Sequence, residues 1–298
     1  MENVINYLYS LDIENIYKNN NSYIIKSKNS YYCLNKIDFI NDKMKNFINQ
    51  INSVNYNNSF CYKFQKNIYN EYISRIEDDS YILLNIDQNY NKEIDFFDML
   101  DFYNKSKMLI NNQSFNINWD ILWENKIDYL LNHLEHSKIY NKKIIPYFYY
   151  YIGLSENALL YIKKLKTNIL IDKKLNPCFV HRRIDEKNFK ISFLNPLNFL
   201  IDIKERDVAS YIKTLFYKND DYLNDLDYYL KTNNLSAYEA SLLYARIVYP
   251  SHFLDYYENH EQTELNVFSF NPESYENFIK KTYELINSYV SIDKIVWL

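Results

Sequence analysis

Apolar residues recur at every second position in several short stretches of the first third of the chain. Through most of the remainder they recur at every third or fourth position. The first pattern predicts half-buried strands and the second predicts amphipathic helices. Residues 1–18 read as a short amphipathic helix, 22–27 and 31–37 as strands around Lys28-Asn29-Ser30. Residues 37–51 read as a helix carrying Phe39, Ile40, Met44, Phe47, Ile48 and Ile51 at helical spacing, and 52–59 as a polar loop. Strands are predicted at 60–64, 71–76 and 81–86, with a linker at 87–93.

From Ile94 the period becomes helical. Helices are predicted at 95–109, at 119–134 with Trp119, Leu122, Trp123, Ile127, Leu130, Leu131 and Leu134 on one face, and at 145–164, interrupted at Gly153. Leu159, Leu160 and Ile162 are expected to pack inward. The run Cys178-Phe179-Val180 then delivers His181. Phe189, Ile191 and Phe193 alternate with polar residues, Asn195-Pro196 reads as a turn, and Leu197, Phe199, Ile201 and Ile203 alternate again, so 188–203 reads as a β-hairpin. Helices follow at 205–216 and 222–230. Another opens at a Ser236…Glu239 capping box and is stopped by Pro250, and a last one starts at Pro272 with Tyr275, Phe278, Ile279, Tyr283 and Ile286 at core spacing.

Strands first and helices afterwards make an α+β chain: a small mixed lobe at 1–90 and a mostly helical lobe at 91–298 that holds the 188–203 hairpin. At 298 residues and 47% apolar content it buries a large core. With one Gly and five Pro it is not low-complexity, and its 33 Tyr, beside abundant Asn, Lys and Ile, fit the codon bias of an AT-rich genome. The net charge is −4 and there is no long basic run, so nucleic acid is not an expected partner. No uncharged apolar run of membrane-spanning length occurs, and residues 1–18 lack signal-peptide character, so synthesis in the cytoplasm is expected. Cys33, Cys61 and Cys178 are scattered and read as small buried hydrophobes. His133 and His136, spaced i, i+3, lack an evident third metal ligand.

Asp202 stands between two isoleucines and needs a cation, a metal ion or backbone N–H groups. The polar residues before it run His181-Arg182-Arg183-Ile184-Asp185-Glu186-Lys187-Asn188. Their spacing resembles the H-R-D-x-x-x-x-N loop and metal-binding Asp of the protein-kinase-like superfamily. The resemblance implies Asn188 and Asp202 as metal ligands, His181 as a brace of the loop, and Asp207 as a structural brace from a helix N-terminus. It also places Arg183 where the catalytic base belongs, and a guanidinium accepts no proton. Lys36 ends a strand similar to the one that holds the ATP-phosphate lysine, although the following helix offers only Asp38 and Asp42 as acidic partners. The other readings stay open: Lys36 as a solvated strand-end lysine, Asn188 as a turn residue, and Asp202 as a structural carboxylate satisfied by backbone or Arg182. A Gly-rich phosphate loop is absent.

The order of elements leans towards the aminoglycoside phosphotransferase and choline kinase branch. Three further segments, YYYIGLSENALLYI at 149–162, RDVASYI at 206–212 and ARIVYPSHFLDYY at 245–257, are similar to elements of the spore coat-associated kinase-like proteins of endospore-forming bacteria, the CotS and YutH type. That resemblance implies a two-lobe kinase-like fold, synthesis in the mother cell, placement in the spore coat, and other coat proteins as partners. With Arg183 in the base position it implies a catalytically degenerate pseudokinase with a structural or scaffolding role in sporulation. The alternative is an active ATP-dependent small-molecule phosphotransferase using Lys36, Asn188 and Asp202. ATP and Mg²⁺ are the cofactors if nucleotide binding is retained.

Overall fold

The structure is a computed structural model, and it describes residues 1–19, 22–28, 30–38, 41–107, 115–136, 144–168, 172, 174–182, 190–259 and 270–295. The chain divides into two compact units, one formed by 1–109 with 178–201 and the other by 110–177 with 202–298.

The first unit opens with helix α1 (Glu2–Tyr9), which ends at Ser10 in the left-handed conformation, φ 51°. The helix expected over 1–18 therefore stops halfway, and residues 13–19 form a strand instead. Ile16 and Tyr17 pair with Ile25 and Ile24 of the neighbouring strand, a partnership worth more to β-branched and aromatic side chains than another helical turn. Strands β1 (Ile13–Asn19), β2 (Ser22–Ser27), β3 (Ser30–Ile37), β4 (Lys63–Gln65), β5 (Ile73–Ile76) and β6 (Asp79–Ile86) make an antiparallel sheet in the order β1-β2-β3-β6-β4, with β5 also paired to β6. One core cluster of this unit joins Ile5, Leu8 and Tyr9 of α1 to Ile25, Leu34, Ile76, Tyr81 and Leu83 of the sheet.

Helix α2 (Asp42–Asn58) starts later than expected, capped by the Asn41 side chain accepting from the Met44 N–H, and it runs through the stretch read as a polar loop. The loop reading failed because the polar residues of 52–58 are helical and mostly outward-facing. The buried one, Asn55, closes the end by bonding both the N–H and the C=O of Cys61. Helix α3 (Phe96–Ser106) carries a capping box between Asp95 and Asp98.

Over 190–203 the expected hairpin does not form, and Asn188 and Phe189 lie outside the described residues. Residues Lys190–Phe193 make one helical turn, α6, closed by the Leu194 N–H donating to Lys190 C=O, and Pro196–Asn198 make a 3₁₀ turn. Asn198 Nδ2 donates to Ser192 C=O, which ties the two turns together. The true pairing is between β7 (Cys178–His181) and β8 (Phe199–Asp202). Alternation misled here because Ile191 and Phe193 are both buried from a single helical turn as well as they would be from a strand.

The second unit is helical: α4 (Trp119–His136), α5 (Ile145–Thr167), α7 (Glu205–Lys218), α8 (Leu223–Thr232), α9 (Ala237–Val248), α10 (Ser251–Asn259) and α11 (Pro272–Tyr289). Helix α5 is continuous, against the expected break at Gly153. Phe148, Tyr151, Ile152, Leu154 and Ser155 are buried on either side and hold the turn in place despite the poor propensity of glycine. Leu122 and Leu160, expected inside, are 49% and 63% exposed. Helix α9 is apolar nearly all round and buried throughout 240–248; the expected Ser236–Glu239 capping box is present. All three cysteines are buried and free. Among the described residues no helix is long and apolar enough to cross a membrane.

Candidate functional site

Asp202 ends β8, three residues before α7 begins, and it is 5% exposed. Its carboxylate is taken up by the protein itself. The Trp119 indole Nε1–H donates to Oδ2 at 2.7 Å, Arg206 Nη1 reaches the same oxygen at 3.2 Å, and the backbone N–H of Ile203 donates to Oδ1 at 2.9 Å. Of the three ways to satisfy this acid, the fold supplies a cation and a backbone donor, plus an indole that periodicity assigned to the apolar face of α4. Arg206, in the first turn of α7 at i, i+4 from Asp202, takes the position that Arg182 was expected to fill.

The surroundings of this carboxylate are aromatic and cationic. Trp119 stacks on Trp123 with centroids 6.0 Å apart, and Trp123 lies flat on Tyr249 at 4.1 Å. The guanidinium of Arg246 sits 5.0 Å from the Trp119 ring centre and 5.7 Å from that of Trp123. Asp207, in the first turn of α7, is 1% exposed. Further along α7, Lys213 is fully buried and its ammonium donates to Arg246 C=O, Tyr249 C=O and Ser251 Oγ at 2.7–2.9 Å. Those carbonyls lie at the end of α9, where helix C=O groups lack intrahelical partners, so Lys213 serves as a buried C-cap.

In the other unit, His181 is buried at the end of β7, with Nε2 2.7 Å from Phe193 C=O and its ring stacked on Phe193 at 4.2 Å. It therefore holds the α6 turn, while residues 183–189 of the loop that the resemblance gives it to brace lie outside the described residues. Lys36 pairs with Asp79 of β6 at 2.8 Å, with both side chains more than 40% exposed. This is a cross-strand ion pair between neighbours in the sheet, and neither Asp38 nor Asp42 provides it. Arg183 and Asn188, the base position and the second metal position, lie outside the described residues. His136 is described only as backbone, and no group of three or more His, Cys, Asp or Glu among the described residues is placed to hold a metal ion.

Trp119 and Arg246 belong to this cluster, yet neither carried a signal of its own in the sequence. Trp119 read as core, and Arg246 was only one letter of a resembling segment.

The architecture, a small antiparallel sheet lobe and a mostly helical lobe, is the aminoglycoside phosphotransferase type of the protein-kinase-like fold. It is similar to an aminoglycoside phosphotransferase from Alicyclobacillus acidocaldarius subsp. acidocaldarius DSM 446, with TM-score 0.65 and 8% identity over 94% of each chain. It is also similar to a spectinomycin phosphotransferase solved with ADP and spectinomycin, with TM-score 0.58 and 10% identity over 96% of this chain and 92% of that one. Residues 2–287 match the family described as "Spore coat putative kinase YutH", and the chain belongs to that family. Endospore coat-associated protein YutH of Bacillus subtilis (strain 168) is 25% identical over 206 residues, which cover 60% of this chain and 61% of the relative's length.

Proposed function

We propose that this chain is a catalytically degenerate, kinase-fold protein of the bacterial spore coat with a structural or scaffolding role, other coat proteins being its partners. The coat assignment rests on the family and on the description of the Bacillus subtilis relative. Degeneracy rests on Asp202: the carboxylate that would ligate Mg²⁺ is instead occupied by Trp119, Arg206 and the Ile203 N–H. Mg²⁺ needs near-octahedral oxygen ligands, and to reach Asp202 it would have to displace a guanidinium from a buried acid, with two like charges left close together. Arg183 in the base position and the absence of a Gly-rich loop support the same reading from sequence. If metal and nucleotide do bind, Asp202, Asn188 and Lys36 are the residues that would hold them, and the chemistry supplied would be phosphoryl transfer from ATP.

A thermal-shift titration with ATP and Mg²⁺ on wild type and on Asp202→Ala tests this. The expected result is no Mg²⁺-dependent shift in either protein. A bound ligand at a hundredfold excess over Kd would add about 2.7 kcal/mol to the stability of the folded state. A wild-type shift, or phosphotransfer turnover, that disappears in Asp202→Ala would overturn the proposal in favour of an active small-molecule phosphotransferase.

A further inference from the structure

Arg246 is a buried cation with an unbonded N–H. It is 8% exposed, so more than nine-tenths of it is buried. Its Nε–H is buried and meets no acceptor, and among the described residues no oxygen takes a hydrogen bond from its guanidinium. The ring faces of Trp119 and Trp123 are its contacts. Such faces attract a cation, but they supply no acceptor for the five N–H donors of the fork. The acids within electrostatic reach are Asp202 and Asp207, and Oδ2 of Asp202 already receives Trp119 and Arg206. Burial, with the charge of Arg206 added, brings Arg246 down to about 10 against the pull of Asp202 and Asp207. A buried charge left without hydrogen bonds is costly to the fold.

Arginine is also scarce here. Five of the 34 Lys and Arg residues are arginine. Arg206 and Arg246 are two of those five. A lysine would serve as a point charge above two indoles, whereas what distinguishes arginine is a planar fork that matches an oxyanion in two parallel bonds.

We propose that Arg246 anchors a small-oxyanion site, its guanidinium edge taking a phosphate or carboxylate group through two N–H donors while Trp119 and Trp123 hold its face. The site needs no metal, and its charge is opposite in sign to that of a Mg²⁺ site. It does not depend on whether the kinase machinery is degenerate, because Asp202 keeps Arg206 and Trp119 while the anion docks.

The full chain labelled with ¹⁵N-arginine is titrated in EDTA with sodium phosphate and, separately, with sodium acetate at matched ionic strength. The expected result is a saturable shift of the slowly exchanging Arg246 Nε–H resonance with at least one anion, and the two arms tell phosphate from carboxylate. Calorimetry on Arg246→Lys is expected to give an affinity at least tenfold weaker, with Asp202→Asn no weaker than wild type. No saturable perturbation of any buried arginine resonance in the wild type overturns the proposal, whatever the folding of the variant. Wild-type affinity in a folded Arg246→Lys overturns it as well. A positive result in EDTA leaves the Mg²⁺–ATP test of Asp202 to be decided on its own readout.

Discussion

Trp119 and Asp202 are 83 residues apart in sequence and 2.7 Å apart in space, joined by a hydrogen bond from the indole N–H to a buried carboxylate. A hydrogen bond to a charged group contributes about 1.5–3 kcal/mol, and a buried acid that loses a donor bears the desolvation itself. Trp119→Phe keeps most of the ring and removes the donor, so it is expected to destabilise the protein by about 2 kcal/mol in urea unfolding. Adding Asp202→Ala is expected to show coupling, the double variant losing less than the sum of the singles. Strict additivity would mean that the bond contributes nothing.

Lys213 closes the end of α9 with three hydrogen bonds. Lys213→Met fits the stem but takes the lysine donor from the Arg246 carbonyl, at about 1–3 kcal/mol, while Tyr249 C=O keeps the Ser251 N–H. The expected outcome is a loss of about 1–3 kcal/mol, with α9 and α10 exchanging amide hydrogens faster than α11. Unchanged stability would show that the apolar replacement offsets the lost bonds, as happens for some buried ion pairs.

Two buried groups pull the pH dependence in opposite directions. Burial, with the Lys213 charge beside it, holds His252 down to about 3 from its usual 6.5, so its stabilising contribution is lost as pH falls from about 6.5 towards 3. Thr214 O–H donates to Ser210 C=O, so its oxygen receives the Nε2–H of a neutral His252, 3.2 Å away. Burial pushes Glu205 up to about 7 from 4.5, and its contribution is lost as pH rises through that window. The carboxyl receives the Tyr229 hydroxyl at 2.8 Å. Melting curves from pH 4 to 8 are expected to show that His252→Gln flattens the acid limb and Glu205→Gln flattens the decline above about pH 5. Parallel curves for wild type and both variants would contradict the assignment.

Gly153 is the one glycine of the chain, in the middle of α5, and a Cβ there would meet nothing within 4 Å. Helix interiors favour alanine over glycine by about 0.5–1 kcal/mol. Gly153→Ala is therefore expected to raise Tm by about 1–3 °C. A fall in Tm would imply that the position answers to a contact outside the described residues.

The legible part of the fold was its repetition. Period two located β2, β3, β5 and β6 to within about two residues, and period 3.6 with caps located α3, α4, α7, α8, α9 and α11. Local chemistry was enough because the apolar periodicity of those elements matches the face they bury, and α3, α9 and α11 are also capped by their own side chains. Where burial and polarity came from other elements, sequence reading failed: the α1 to β1 switch at Ser10, the last turns of α2 sealed by Asn55, and the α6 turn that passed for a strand.

For the site, the sequence by itself determined that Asp202 needed a partner, that Arg183 rules out a carboxylate base at its position, and which family the chain resembles. Those are properties of residue type, spacing and motif. The tertiary structure decided who satisfies Asp202 and where Arg246 is left. Trp119 sits in α4 and Arg246 in α9, and only their packing beside the start of α7 turns a core tryptophan into a hydrogen-bond donor and a helical arginine into a buried cation over two indoles. Periodicity reports which face of an element is buried and carries no record of which distant element it is buried against.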